Sequence, residues 1–179
     1  MLKHSRHLLA LFLVAAALVS CRGENEANEP ETFSFVVYPG ARYLQPLTDM
    51  TKQAHKLLKP NMDAPPIAIY DTEASVDEVA NFYAKSYGYS TIAPDVTNNL
   101  SSAKPPAYYR SGDLAADTKP IEPLLQKMGA RTDISKAVGA YKAVELEPRP
   151  NRPRVTVQRP YFDVTSSQVV DRTLILMAR

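Results

Sequence analysis

The first twenty residues decide how much of this chain is left to fold. Lys3 and Arg6 open it with His4 and His7, twelve apolar residues follow from Leu8 to Val19, and the small Ser20 precedes Cys21, the sole cysteine. A basic start, a short apolar stretch and a small residue at its end are the parts of an export signal. As a helix the apolar run rises about 18 Å, well short of the roughly 30 Å hydrocarbon core of a bilayer, so it does not read as a permanent span. No later stretch is long and apolar enough to span either. The expected division is a signal peptide over 1–20, a tether over 21–32 and one domain over 33–179.

Leu18-Val19-Ser20-Cys21 resembles the lipobox of bacterial lipoproteins, with Leu at −3, Ser at −1 and Cys at +1. The resemblance implies cleavage before Cys21, a thioether from Cys21 to diacylglycerol, and acylation of the new amino terminus by a palmitate-type chain. One acyl chain binds a membrane only marginally, whereas two or more anchor stably. The membrane, reached through this N-terminal lipid, is therefore the first expected partner. In lipoproteins an Asp at +2 often marks inner-membrane retention; Arg22 stands there, which favours the outer membrane and a periplasm-facing domain. The alternative is a secreted protein with a chance cysteine beside its cleavage site.

Without Lys3 and Arg6 the chain carries 19 basic residues against 19 acidic ones. The basic isoelectric point thus belongs largely to the signal and gives no argument for nucleic acid binding. His55 is the one histidine after the signal, and Cys21 is committed to lipid. Disulfides, a cysteine nucleophile and zinc sites built from several His or Cys are excluded, and a Ser/His/Asp triad has a single histidine to draw on. No metal or cofactor is expected.

Residues 22–32 carry four glutamates and no large apolar side chain, so they read as a disordered tether. Phe33 to Tyr38 is rich in β-formers and ends at the Pro39-Gly40 turn. Leu47, Met50, Ala54, Leu57 and Leu58 are spaced as one helical face that stops before Pro60, with His55 placed at its surface or boundary. Ile67 to Tyr70 reads as a strand and Asp71-Thr72 as a turn. Ser75-Val76-Asp77-Glu78 fits a capping box, followed by Val76, Val79, Ala80, Tyr83 and Tyr87 at helical spacing and Gly88 at the C-terminal cap. Tyr89 to Ile92 reads as the start of a returning strand, 94–106 as a loop, and Ala107 to Ser111 as a strand ending at Gly112-Asp113. Ile121, Leu124, Leu125 and Met128 mark a third helix with Pro120 in its first turn and Gly129 closing it. Tyr141 to Glu147 and Arg154 to Gln158 alternate, which predicts antiparallel strands with one wet face, joined by the turn at 148–153. The continuous Thr173 to Met177 reads as an inner strand. The fold class expected is α+β: an antiparallel sheet of five or six strands packed with two or three helices.

Val37-Tyr38-Pro39-Gly40-Ala41 resembles the Y-P-G-A element of small bacterial envelope lipoproteins, in which segments like Ile69-Tyr70-Asp71-Thr72 and Val79…Phe82-Tyr83 follow. The resemblance implies a sheet with a packed helix and carries over no catalytic residue.

Candidate sites are few. Tyr83, Tyr87, Tyr89, Tyr108 and Tyr109 are placed to gather near one end of the strand–helix unit, either as a binding face or as the edge of a core. Arg149, Arg152, Arg154, Arg159, Arg172 and Arg179 outnumber Asp163 and Asp171 by four over 148–179, a surface for lipid phosphates or an acidic partner, or simply solvated strand ends. From these sets, Tyr83, Tyr87, Tyr108, Tyr109, Arg152 and Arg154 are the residues singled out for binding. Tyr109-Arg110-Ser111-Gly112-Asp113 holds a hydroxyl and an acid without a local base, and Asp71, Glu73, Asp113 and Asp117 offer only the carboxylate pairs of any folded protein. The expectation is a lipid-anchored, non-catalytic binding or assembly module that meets another envelope protein. A small-molecule or lipid binder with a pocket between sheet and helices is the alternative, and a lipid-anchored hydrolase comes third.

Overall fold

The computed structural model describes residues 34–95 and 105–179; the segments expected to be signal and tether, Cys21 and most of the 94–106 loop lie outside them. Eight strands appear among the described residues: β1 Arg42–Tyr43, β2 Ile67–Thr72, β3 Ala107–Asp113, β4 Ala140–Leu146, β5 Arg154–Arg159, β6 Tyr161–Asp163, β7 Gln168–Val170 and β8 Thr173–Ala178. The helices are α1 Gln45–Leu58, α2 Val76–Ser86, and the short α3 Leu114–Thr118 and α4 Glu122–Lys127 joined by a 3-10 turn over Lys119–Ile121. Six strands form one antiparallel sheet in the order β1-β2-β8-β5-β4-β3, and β6 and β7 make a separate hairpin. The fold is α+β, as the sequence predicts.

Register explains the packing. Tyr70, Ile175, Val157, Val144 and Tyr109 lie side by side across five strands, and Ala68, Met177, Val155, Leu146 and Ala107 form the next row. Helix α2 covers this face with Val76, Val79, Ala80, Tyr83 and Ala84, giving the main core. Its start is built as the sequence requires: the Ser75 hydroxyl accepts from the Glu78 amide while the Glu78 carboxylate accepts from the Ser75 amide. Its end is Gly88 at φ +65°, a backbone that L side chains rarely adopt.

The opposite face is graded. One row reads Ile69, Leu176, Thr156, Glu145, Tyr108, apolar at β2 and β8 and polar from β5 onward; the next reads Asp71, Leu174, Gln158, Ala143, Arg110, with charged residues at its two ends. The wet face expected for β4 and β5 is not there. Glu145, Thr156 and Gln158 are buried, and Glu145 accepts from Arg110 Nε at 2.9 Å and from the Thr156 hydroxyl at 2.7 Å. The alternation marks two environments, both closed to water.

Asp71 is fully buried inside β2 rather than in a turn. Its Oδ1 accepts from Arg42 Nε at 3.1 Å, and its Oδ2 accepts from Arg42 Nη2 at 2.7 Å, Arg172 Nε at 3.0 Å and the Tyr161 hydroxyl at 3.0 Å. Burial works to raise its pKa; hydrogen bonds from Arg42 and Tyr161 and the charge of Arg172 outweigh it and hold the carboxyl below its ordinary range.

Other departures have local causes. Residues 34–38 are not a strand: the Tyr38 and Val36 amides donate to the Tyr83 and Tyr87 hydroxyls, so this stretch is pinned across α2 instead of pairing with a strand. Residues 89–92 run irregularly to a single parallel bridge between Ala93 and Tyr108. In α1 the buried residues are Thr48, Thr51, Ala54 and His55, while Leu57 and Leu58 are exposed. The helix is rotated toward the β2 edge because the Thr48 hydroxyl accepts the Ile69 amide that the two-residue β1 leaves unpaired. His55, expected near the surface, is 2 % exposed.

Asp71→Asn, which keeps the shape and removes the charge, should lower the unfolding free energy by about 2–3 kcal/mol, because two arginines and a tyrosine hydroxyl lose their anion. Urea unfolding followed by circular dichroism measures it; a change under about 0.5 kcal/mol would show that Asp71 does not tie these elements together.

Candidate functional site

The graded face of the sheet leaves a cavity. Ile69, Leu174, Leu176 and Gln158 form its floor, Leu47, Met50, Thr51 and Ala54 of α1 one wall, and Leu114, Ile121, Leu124, Leu125 and Met128 around α3 and α4 the other. Tyr161, Phe162 and Val164 of the β6–β7 hairpin close a further side. Its volume is about 150 Å³. A space of this size holds a benzene-sized molecule.

Sequence explains the walls. Helix α3 starts where the Asp113 carboxylate accepts from the Ala116 amide at 3.0 Å, a cap hidden in what reads as the end of a strand. Pro120 and Pro123 sit where the chain re-enters helix, at positions whose amides need no partner. Leu124 and Leu125 are buried, as their spacing predicts.

The polar members group at one end. Asp117 lines the cavity and its Oδ2 accepts from the Tyr141 hydroxyl, which in turn accepts from Arg110 Nη1. Gly112 makes room for this arrangement: a Cβ there would collide with the Tyr141 ring. Burial pushes the Tyr141 hydroxyl well above its ordinary pKa. Arg110 is held protonated against its own burial by Glu145 and Tyr141.

The residues singled out from sequence meet in pairs but form no one surface: Tyr83 stacks on Tyr87 with ring centroids 6.0 Å apart, and Tyr108 and Arg154 share the Glu147 carboxylate. Tyr83 and Tyr87 lie in the core beneath α2, and Tyr89 is buried with its hydroxyl on the Glu147 carbonyl. Tyr108 and Tyr109 point to opposite faces of β3: Tyr108 donates to Glu147 at 3.0 Å and Tyr109 to Asp77 at 2.9 Å. The arginines are largely matched. Arg154 pairs with Glu147 at 2.7 Å, Arg159 with Asp171 at 2.8 Å, and Arg172 with Asp71 and Glu73, while Arg149 stacks over Tyr89. Arg152 lies against Gly88. Asp117 was named from sequence only as one carboxylate among several and Gln158 only as the end of a strand; Leu114 and Thr118 were missed, and the one available signal for α3 was the Asp113 cap. A second, open depression lies at the β1–β2 edge, lined by Phe35, Tyr43, Lys52, Pro65, Pro66 and Tyr70. Among the described residues no three His, Cys, Asp or Glu side chains are grouped to hold a metal ion.

No protein-family model, curated protein or solved structure matches this chain.

His55 sits on the helix that walls the cavity, buried with neither ring nitrogen bonded. Burial, reinforced by the charge of Lys59, lowers its pKa from the ordinary 6.5. A histidine held neutral in the fold must give up its proton on folding and takes it back on unfolding, so its cost is absent well above pH 6.5 and grows as pH falls below that value. The urea midpoint should therefore drop between pH 7 and pH 5 in the wild type and by a smaller amount in His55→Leu; equal drops would show that His55 does not carry the effect.

Proposed function

We propose that this chain is a lipid-anchored, non-catalytic binding domain of the bacterial envelope, and that it takes a small apolar molecule between its sheet and helices. The observation that carries the reading is the 150 Å³ cavity, lined by α1, α3, α4, the β6–β7 hairpin and the apolar half of the graded sheet face. Side chains from that many elements converge on one space without filling it, which is how small-ligand sites are built. The tyrosine and arginine sets lend less support to an assembly role, since their polar ends are largely used inside the fold. An assembly role has the open depression beside Tyr43 and Tyr70 to draw on, but that surface is shallow and shared with a lysine.

The anchor half of the proposal rests on Leu18-Val19-Ser20-Cys21. In cells fed an alkyne-tagged palmitate, the wild type should incorporate label and Cys21→Ser should not; equal labelling of both would remove Cys21 as the lipid site.

The ligand half is tested with the full chain carrying Cys21→Ser, which lacks acyl groups. Benzene should shift the methyl resonances of Ile69, Leu174, Leu176 and Met50 and few others. Ala54→Leu adds three carbons to the empty space, so it should raise the unfolding free energy by about 1–2 kcal/mol and weaken benzene binding at least tenfold. Absence of those methyl shifts in the wild type would overturn the reading.

A further inference from the structure

Resting on that reading, the geometry points to the class of ligand: an amphiphile with a benzene-sized apolar body and a hydrogen-bond-donating head, an amine before an alcohol, and not a carboxylate. Sheet order gives the cavity a direction. Its lining from β2 and β8 is Ile69, Leu174 and Leu176, facing Leu47 and Met50 of α1, and this end is apolar. Gln158 belongs to β5, one strand further along, and Asp117 and Thr118 belong to α3. Asp117 is tied by Tyr141 to β4, further along still. The cavity thus runs from hydrocarbon to a carboxylate, a hydroxyl and an amide.

The sign of the polar end follows from its charges. Arg110 Nη1 lies 3.6 Å from Asp117 Oδ2, but its guanidinium is committed to Glu145 at 2.9 Å and to the Tyr141 hydroxyl. One cation faces two carboxylates, Asp117 and Glu145, and the end is net negative. The Tyr141 hydroxyl takes Oδ2 of Asp117, so Oδ1 is the oxygen that a ligand donor takes. An ammonium there gains a charge-assisted hydrogen bond, an alcohol a neutral one, and a carboxylate meets like charge with no donor to receive it. The cation advantage expected from such a bond is roughly tenfold or more in affinity.

Calorimetric titration of the full chain carrying Cys21→Ser with toluene, benzyl alcohol, benzylamine and benzoate tests this with body size held nearly constant. Benzylamine should bind at least about tenfold tighter than toluene, benzyl alcohol should fall between, and benzoate should not bind. Asp117→Asn should bring benzylamine down to benzyl alcohol. If toluene binds but benzylamine gains nothing, if benzoate binds as well, or if Asp117→Asn leaves benzylamine unaffected, the polar-end assignment is overturned while the cavity reading stands. If none of the four binds, both fall together.

Discussion

A single carboxylate dictates the arrangement around it. Asp71 is buried inside β2, where an unpaired charge would cost several kcal/mol, so the chain must bring cations and donors to it. They come from three separate places: Arg42 from β1, Tyr161 from β6 and Arg172 from the bend before β8. Holding Tyr161 there keeps the β6–β7 hairpin against the graded sheet face, and Tyr161, Phe162 and Val164 then close one side of the cavity. The hairpin has only three residues in each strand and is too short to hold that position through its own pairing. The Tyr161–Asp71 bond is thus one of the ties that set this side of the cavity, together with the Thr132 hydroxyl on the Val164 carbonyl and the Asp133 amide on the Ser167 hydroxyl.

The same carboxylate shows where reading the sequence stops. Asp71-Thr72 after an apolar strand reads as a turn because aspartate is common in turns and poor in strands. Here the ion pairs override that preference, and residues 29 and 101 positions away supply them. Local signals were legible wherever the forces are local: the capping box of α2, the positive-φ Gly88 and Gly129, and the strand periods of β4 and β5 all stand where the sequence puts them. Residues 34–38 were misread for the opposite reason. Their β-rich composition is real, but the tyrosine hydroxyls of α2 take the amides that a neighbouring strand would have used.

The candidate site was the least legible part, and the cause is geometric. Alternation along β5 tells which residues share a face but is silent on what covers it. Thr156 and Gln158 therefore look like residues that meet water, when Glu145 and the helices beyond cover them. Nor does the run Thr173 to Ala178 separate its two jobs. Ile175 and Met177 fill the core under α2, whereas Leu174 and Leu176 floor the cavity, and the sequence treats all four as one apolar stretch. Tyrosines misled by the same argument in reverse: a side chain with a polar tip suits a surface, yet Tyr83 and Tyr87 use that tip to pin the incoming chain.

Anchor and cavity make sense together. If Cys21 carries lipid, the thirteen residues to the first described one reach at most roughly 45 Å, so the domain stays beside the membrane surface. Small amphiphiles gather at that surface, with apolar bodies in the acyl region and polar heads toward water. A cavity that runs from Ile69 and Leu176 to Asp117 repeats this gradient within the protein. Moving such a molecule from membrane to cavity exchanges one apolar surrounding for another, so burial of the body contributes little net free energy. Discrimination then falls to the head. A carboxylate placed where Gly112, Tyr141 and Arg110 fix it distinguishes an ammonium from the abundant anionic heads of the same surface, which apolar contacts alone cannot do.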